Sequence, residues 1–272
     1  MKVIFSRKGF DSAAGGVPSP IVDGRPVSLP IPTKMPSPLR FTDLAGDLPG
    51  LVADLSGGRV DVARACHLDP DIDSTLIPRK TGWCGALGQD GAAQGHLTKQ
   101  RIRPGDLFLF WGLFRPAEKH AGKWRYIGTP EHRIFGWLHV AEIVALGPDG
   151  SHALRRFPWL DQHPHVRPGW GTSNTLYVAS EGCSIRSRAV PGFGTLRRGH
   201  RLTRVGSPRP SDWSTPAWLN PRTGGTGMSY NPIDRWDKDG VRTAARGQEF
   251  VAYVGDRADA AAWVGELLSE VT

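Results

Sequence analysis

The chain has 272 residues, of which 39% are hydrophobic and 22% are charged, and its formal net charge is +8. This is the composition of an ordinary globular protein, long enough for one large domain or two small ones. No apolar run approaches the roughly 20 residues of a membrane helix, and three widely spaced cysteines exclude a disulfide framework and a CxxC zinc site. The first apolar stretch is too short for a signal peptide, so we expect a cytoplasmic protein.

The first predicted strand, residues 3–5, leads directly into a dense polar cluster. Its branched and aromatic side chains suit a buried strand. Two cations, a carboxylate and a hydroxyl follow at Ser6, Arg7, Lys8 and Asp11. Arginine binds phosphate with a planar fork and lysine binds it as a point charge. We expect these four residues to hold the phosphate and sugar of a nucleotide; the alternative is a strand end whose charges are solvated.

Residues 15–38 are rich in proline, which fixes φ and donates no backbone hydrogen bond, so extended irregular chain is predicted there. Apolar residues at near-helical spacing predict a short helix beginning near Leu48. Residues 60–66 alternate like a strand that ends at His67 and Asp69. This pair suits acid and base chemistry, although an Asx-type turn would also explain it. A metal ion would need ligands that the sequence does not place, and we expect none.

Residues 85–97 combine small side chains with two amides and an imidazole. Small residues allow close approach to a ligand, and Gln89, Gln94 and His96 could read the hydrogen-bonding edge of a base. The alternative is a glycine-rich loop that caps a helix around Ala92.

A turn at Pro104, Gly105 and Asp106 precedes an apolar strand over residues 107–111, and a second strand follows over residues 134–144. Between residues 101 and 147 this pattern resembles the central hairpin of PUA-like barrels. That group includes modules that bind RNA and modules that read modified bases, so the resemblance implies a possible barrel element in the fold.

Two histidines, His163 and His165, lie on either side of Pro164. The rigid proline ring fixes the directions in which the two side chains point, which suits a functional site better than a hydrophobic core. Residues 174–180 follow as a strand that ends in polar residues. We expect both histidines to be catalytic candidates.

An arginine-rich stretch comes next, because no acidic residue lies between Glu181 and Asp212. A positive field of this kind favours nucleic-acid phosphates, and we expect backbone contacts from Arg197, Arg198 and Arg201. The alternative is a solvated loop whose arginines pair with acids elsewhere in the fold. The arginines of the stretch are Arg186, Arg188, Arg197, Arg198, Arg201, Arg204 and Arg209.

The last predicted strand, residues 248–254, begins with Glu249 and is followed by a helix over residues 258–268. Glu249 is either exposed at an edge or placed as an acid. The pair Gln248-Glu249 before such a strand resembles the catalytic glutamate region of ADP-ribosyltransferases. There, a carboxylate binds the ribose hydroxyl and assists the loss of nicotinamide.

Taken together, the polar motifs resemble the nucleotide modification associated domain family, third type, from residue 2 to about 254. This resemblance implies a single α+β domain linked to the chemical modification of DNA bases or nucleotides, without an assigned reaction. The motifs are Ser6-Arg7-Lys8-Gly9-Phe10-Asp11, Pro18-Ser19-Pro20-Ile21, His67-x-Asp69-Pro70-Asp71, Gly88-Gln89-x-Gly91-Ala92-Ala93-Gln94-x-His96-Leu97, Asn174-Thr175-Leu176-Tyr177-Val178 and Gly247-Gln248-Glu249-Phe250-Val251.

The sequence therefore predicts one α+β domain over residues 1–272 with a mixed or antiparallel β core, long proline-rich segments and a C-terminal helix. Its predicted function is an enzyme that modifies a nucleotide or a DNA base by group, glycosyl or ribosyl transfer, with DNA the favoured partner and no membrane. The alternatives are a non-catalytic PUA-like reader of modified bases and an ADP-ribosyltransferase that uses NAD with Glu249 as its acid. No particular cofactor is indicated. The catalytic candidates are His67, Asp69, His163, His165 and Glu249.

Overall fold

The computed structural model describes residues 1–185, 188–245, 247 and 249–270, without the side chains of Arg188 and Glu270. Its strands are β1 (Lys2–Arg7), β2 (Ser19–Val22), β3 (Arg25–Pro26), β4 (Ile31–Pro32), β5 (Cys66–His67), β6 (Ala86–Gln89), β7 (Leu107–His120), β8 (Lys123–Tyr126), β9 (Glu131–Ala145), β10 (Thr175–Ala179), β11 (Gly182–Ile185), β12 (Arg188–Pro191), β13 (Phe193–Arg201), β14 (Asp212–Ser214), β15 (Gly240–Arg242) and β16 (Glu249–Tyr253). Its α-helices are α1 (Leu48–Leu55), α2 (Gly91–Lys99) and α3 (Ala258–Leu267). Short 3-10 helices lie at Phe41–Asp43, Gly150–Arg155, Pro158–Gln162, Pro164–Val166, Pro221–Thr223, Ile233–Arg235 and Leu268–Glu270.

A mixed sheet forms the centre of the fold, with its strands in the order β16, β1, β7, β9, β10 and β6. β1 runs parallel to β7, and the other neighbours along this path are antiparallel. Side chains alternate between the two faces of a strand. Val3 and Phe5 therefore join the core against α3, while Ile4 joins Phe108 in the core of the opposite face. The fold is α+β, as predicted.

The predicted hairpin is confirmed, because Leu107 of β7 pairs with His139 of β9. Both strands are longer than predicted, and β2, β8 and β13 add to them outside the central path. The sheet formed by the described strands stays open, so the PUA-like barrel is not confirmed.

The strand predicted over residues 60–66 is wrong, since only its last residue, Cys66, lies in a strand and Ala65 forms no more than an isolated bridge with Arg40. Asp61 folds the chain back on itself: its carboxylate accepts from Ala63 N at 2.9 Å and its carbonyl from Arg64 N at 3.0 Å. Such local bonds compete with a strand. The proline-rich segment also departs from a fully irregular path, because it forms the short strands β2, β3 and β4.

The antiparallel pairing of β1 and β16 places the end of one strand beside the beginning of the other. Ser6 lies opposite Glu249 across this pair, although 243 residues separate them in the sequence. β6 ends at Gln89, whose side chain reaches the same glutamate. Three distant parts of the sequence thus contribute side chains to one position.

β1, at the beginning of the chain, pairs with β16, which lies 243 residues later along the sequence at the Ser6–Glu249 position. The single domain over residues 1–272 stays a prediction. Among the described helices, none has the length and apolar character needed to cross a membrane.

Candidate active site

Glu249 is the buried centre of a polar network at the end of β1. Its side chain is 1% exposed. Oε1 accepts hydrogen bonds from Ser6 Oγ at 3.0 Å and from Gln89 Nε2 at 2.5 Å, and Lys8 Nζ lies 3.8 Å from the same oxygen. In the described part of the chain Oε2 has no hydrogen-bond partner. One carboxylate oxygen therefore has three polar neighbours, and the other is buried without a hydrogen bond.

A second buried carboxylate, Asp69, faces the same lysine. Lys8 Nζ lies 3.9 Å from Asp69 Oδ2, and the Asp69 side chain is 3% exposed. The other oxygen, Oδ1, accepts from the backbone N–H of Gly88 at 2.7 Å. Lys8 thus lies between two carboxylates and stands almost equally far from each.

The two carboxyl groups have opposite electrostatic environments. Burial alone would raise the pKa of Asp69, but His163, His67 and Lys8 outweigh it and hold that pKa well below its usual range. Burial raises the pKa of Glu249 above its ordinary value, against the opposing effects of Lys8 and Ser6. Two neighbouring groups whose pKa values are pushed apart in this way can divide acid and base roles between them.

Three imidazoles surround Asp69. Nε2 of His67 lies 3.6 Å from Asp69 Oδ2, Nε2 of His163 lies 3.4 Å from Oδ1, and Nε2 of His165 lies 4.0 Å from Oδ2. Burial lowers the pKa of His165 to about 3, even with Asp69 opposite. His165 is therefore neutral at physiological pH. One ligand atom from each of His67, Asp69 and His165 lies within 4.8 Å of the others, so these three residues could hold a metal ion.

The local chain is built to hold His165 in place. Its ring stacks on Trp170 with the centroids 3.9 Å apart and an angle of 14° between the planes. On the other side a Cβ added at Gly88 would lie 2.1 Å from His165 Cδ2. Only glycine allows the strand and the imidazole to approach this closely.

Two cavities adjoin this network. The first, which we call the lysine cavity, measures about 220 Å³ and is lined by Arg7, Lys8, Asp11, His67, Asp69 and Gln89. The second, the tyrosine cavity, measures about 500 Å³ and is lined by Asp90, Ala92, His96, Tyr230, Gly247 and Glu249. Cavities of this size accommodate a small ligand or part of one.

The tyrosine cavity presents an exposed pair of rings. Tyr230 is 48% exposed. Its backbone φ is 64°, in the left-handed region that residues other than glycine seldom adopt. Its ring centroid lies 4.3 Å from that of His96, which also contacts Ser229 Oγ at 3.0 Å. Such an aromatic surface can stack on a nucleobase.

Most of the predicted site residues lie at this network. Lys8, His67, Asp69, His163, His165, Gln89 and Glu249 belong to it, and Arg7 and Asp11 line the lysine cavity as an ion pair with 3.6 Å between Arg7 Nε and Asp11 Oδ2. Ser6 is fully buried and bonds Glu249, so it orients that carboxylate where a phosphate contact was predicted.

The amides and histidine predicted to read a base are separated. Gln89 bonds Glu249. Gln94 lies on α2, as the helical alternative implied, and its side chain is occupied by Tyr177 OH at 3.0 Å and Thr98 Oγ1 at 3.2 Å. His96 lines the tyrosine cavity.

The arginine-rich stretch contains β11, β12 and β13, and two of its arginines pair with acids elsewhere in the fold, as the alternative to a nucleic-acid surface implied. Arg201 pairs with Glu131 at 3.0 Å and Arg204 with Asp237 at 2.8 Å. Arg197 and Arg198 are exposed on β13. Arg186, like Gln248 of the last predicted strand, lies outside the described residues, as does the side chain of Arg188.

Sequence reasoning assigned no role to three residues that complete the site. Asn174 binds His165, Trp170 stacks on it, and Tyr230 lines the second cavity. Asn174 stood within a motif, directly before a strand, which was the available signal. The contacts of Trp170 and Tyr230 depend on tertiary structure that no local pattern specifies.

Comparison with known proteins gives one match. A family model described as nucleotide modification associated domain 3 matches residues 2–253. No curated protein and no solved structure matches the chain.

The raised pKa of Glu249 predicts a specific pH dependence of stability. A carboxyl group whose folded-state pKa is raised contributes stability that is fully present below its unfolded value and is lost as pH rises through the folded value. Glu249→Gln stays neutral at every pH and avoids this loss. In EDTA buffer, the melting temperature of Glu249→Gln relative to the parent should therefore increase between pH 4.5 and pH 8. We expect a change of at least about 2 °C, which corresponds to about 1 kcal/mol in a chain of this size.

Differential scanning calorimetry at several pH values measures this difference. The control is Glu118→Gln, which replaces a surface glutamate paired with Arg125. A pH-independent difference for Glu249→Gln, or the same trend in the control, would contradict burial as the dominant influence on Glu249.

Proposed function

Because the chain belongs to the nucleotide modification associated domain 3 family, we propose that it is an enzyme that modifies a nucleotide or a DNA base. The family links it to nucleotide modification. The observation that carries the proposal is the network in which Lys8 lies between the buried carboxylates Asp69 and Glu249. Buried charges are costly, and perturbed carboxyl groups beside a cavity are typical of functional sites.

The convergence of the polar clusters favours an enzyme over a reader of modified bases. A reader would place its polar clusters on separate faces around an aromatic pocket in a barrel. Here Lys8, Asp69, His67, His163 and Glu249 share contacts. The aromatic pair at the tyrosine cavity then supplies a base-stacking surface beside an acid.

We assign phosphate binding to Arg7 and Lys8, which line the lysine cavity. A fork and a point charge next to each other suit a phosphate or diphosphate group. Asp11 holds this arrangement: its Oδ1 accepts from Ala13 N and Ala14 N, each at 2.8 Å, and its Oδ2 faces Arg7. Asp11 therefore holds the loop of residues 11–14 through Oδ1. Its Oδ2 is the oxygen that could accept a hydrogen bond from a sugar hydroxyl.

Glu249 is the proposed acid and base of a glycosyl or ribosyl transfer. In the first step the bond from the anomeric carbon to the leaving group breaks, and the leaving group keeps the electron pair and takes the Oε2 proton of neutral Glu249. The resulting carboxylate is stabilised by Lys8, 3.8 Å away. The acceptor then forms its bond to the anomeric carbon and gives its proton to Glu249, which returns to the neutral form. In ADP-ribosyl transfer from NAD, nicotinamide leaves as a neutral molecule without taking a proton, so that reaction would instead need ionised Glu249 as the base that accepts the proton of the acceptor.

Ligand binding tests this proposal. We expect at least one of three probes, NAD, a nucleoside diphosphate sugar or a nucleoside monophosphate, to bind in isothermal titration calorimetry. Arg7→Ala and Lys8→Met should each weaken binding by at least about tenfold, because each removes a charge-assisted hydrogen bond. The affinity of Glu249→Gln should stay within a few-fold of that of the parent, but its turnover should be abolished. Turnover is measured by mass spectrometry of the nucleosides.

The matched control is Lys238→Met, which removes an exposed lysine and should leave affinity unchanged. Absence of binding by all three probes, or equal losses in Lys8→Met and Lys238→Met, would refute the proposed nucleotide site. Binding of other probes without NAD would exclude ADP-ribosyl transfer.

We further propose that DNA lies across β13, where Arg197 and Arg198 are exposed. Arg201 is left out because its guanidinium pairs with Glu131, which also pairs with Arg133. Duplex binding should weaken as the salt concentration rises. The slope of log affinity against log salt concentration should be about −0.9 for each phosphate that the protein neutralises. The double variant Arg197→Ala/Arg198→Ala should flatten this slope by about 2.

Fluorescence anisotropy across a salt series measures the slopes. The control is the double variant Arg40→Ala/Arg64→Ala, which removes two exposed arginines elsewhere. Equal slopes in the parent and the β13 variant would remove this surface from the DNA interface and leave a free nucleotide as the substrate.

A further inference from the structure

The histidines around Asp69 have no part in the acid and base role of Glu249. In a neutral histidine, the hydrogen bond made by one ring nitrogen fixes the tautomer. It therefore also determines whether the other nitrogen carries a hydrogen or a lone pair. We propose that Nε2 of His67, Nε2 of His165 and Oδ2 of Asp69 bind a divalent transition-metal ion of the zinc type.

The orientation of the Asn174 amide fixes the tautomer of His165. Asn174 Nδ2 donates to the carbonyls of Gly147 at 3.0 Å and His165 at 2.9 Å, which leaves Oδ1 facing His165 Nδ1 at 2.7 Å. An amide oxygen only accepts, so Nδ1 carries the hydrogen. A histidine that binds metal commonly donates its other N–H to an oxygen in this way.

Nε2 of His165 consequently presents a lone pair to the carboxylate oxygen Oδ2 of Asp69, 4.0 Å away. Two acceptors that face each other repel, and although Lys8 Nζ lies 3.9 Å from Oδ2, a cation bound between the two atoms would turn this repulsion into attraction for both. His67 Nε2 points at the same oxygen from 3.6 Å. A cation among the three atoms would satisfy all of them.

His163 has the opposite tautomer. The backbone N–H of His165 donates to His163 Nδ1 at 3.3 Å, so the hydrogen is on Nε2, which points at Asp69 Oδ1 from 3.4 Å. Nε2 is buried and lacks a hydrogen bond of normal geometry. Together with the N–H of Gly88, it holds Oδ1 and turns Oδ2 toward the other two rings. His163 is therefore a positioning residue.

The spacing suits an open catalytic type of site. Zinc bonds of about 2.0–2.1 Å place tetrahedral ligand atoms about 3.3 Å apart, against 3.6 Å and 4.0 Å in the two contacts with Oδ2. A small turn of His67, whose side chain is 10% exposed, would shorten the first of these two contacts. Three protein ligands leave a fourth position open toward the lysine cavity, which His67 and Asp69 line. Two imidazoles favour zinc-type ions over magnesium.

Lys8 competes with the ion for Asp69. It lies almost as near to Glu249 Oε1, at 3.8 Å, as to Asp69 Oδ2, at 3.9 Å, and can keep the former when the ion takes the latter. Removal of the ammonium should strengthen metal binding, since like charges a few ångströms apart repel strongly. Metal binding does not depend on whether the chain modifies nucleotides.

The test uses the full chain, freed of metal with EDTA and then dialysed. Zn²⁺ is titrated by calorimetry and Co²⁺ by visible absorption. We expect one ion per chain, no displacement by excess Mg²⁺, and at least about a hundredfold loss of affinity in His67→Ala and His165→Ala. His163→Ala should lose about 10- to 100-fold, as expected for a residue that orients a ligand. Lys8→Met should gain about tenfold or more.

His152→Ala, which removes an exposed histidine outside the cluster, is the control and should bind like the parent. Circular dichroism establishes that each variant is folded, and His67→Ala, at the edge of the cavity, guards against loss of folding in the more deeply buried variants. The inference is overturned if the folded parent shows no Co²⁺ spectrum at one equivalent, or if His67→Ala binds as tightly as the parent. Unchanged or weaker binding in Lys8→Met would contradict the placement of the ion on Oδ2.

Discussion

One ammonium group between two buried carboxylates is the interaction on which the site depends. Lys8 reaches Asp69 and Glu249 at nearly equal distances, and both acids are almost wholly inaccessible to water. Two buried negative charges near a single cation are costly. In a medium of low polarity the two carboxylates repel each other strongly, and one cation offsets only one of the two charges. The cost falls when one carboxyl group gains other donors and the second takes up a proton. The directions of the two pKa shifts follow this division.

The fold enforces the division through the backbone. The register of β1 against β16 places Ser6 opposite Glu249, and the end of β6 adds Gln89. Asp69 is held instead by the N–H of Gly88 and by histidines that Asn174 and Trp170 orient. Each carboxylate has its own supporting set, and among the contacts of the described residues only Lys8 is shared. The proposed acid and the proposed metal ligand can therefore act side by side without exchanging roles.

The sequence predicted the elements whose signals are local. Apolar runs predicted the central strands β1, β7, β9, β10 and β16 but not β6, which lies in a stretch of small residues. Polar residues at the end of β1 and the beginning of β16 predicted Lys8 and Glu249 as members of a site, whereas Asp69 was predicted from the end of a strand that does not form. Features that depend on distant partners were beyond its reach. The 243-residue separation of Ser6 and Glu249 hid their contact, the tautomers of the histidines depend on Asn174, and the partner of Arg201 lies at Glu131 on another strand. The strand predicted over residues 60–66 failed because alternation could not reveal the turn that Asp61 closes.

Two opposing influences act on Glu249: burial raises its pKa, and Lys8 lowers it. The most direct test is a carbon-13 NMR titration of the Glu249 carboxyl group in EDTA buffer, with the resonance assigned by its loss in Glu249→Gln. We expect a midpoint above the ordinary glutamate pKa of 4.5 and a further rise in Lys8→Met, because Lys8 acts to lower that pKa. A midpoint at or below 4.5, or one that Lys8→Met leaves unchanged, would contradict this expectation.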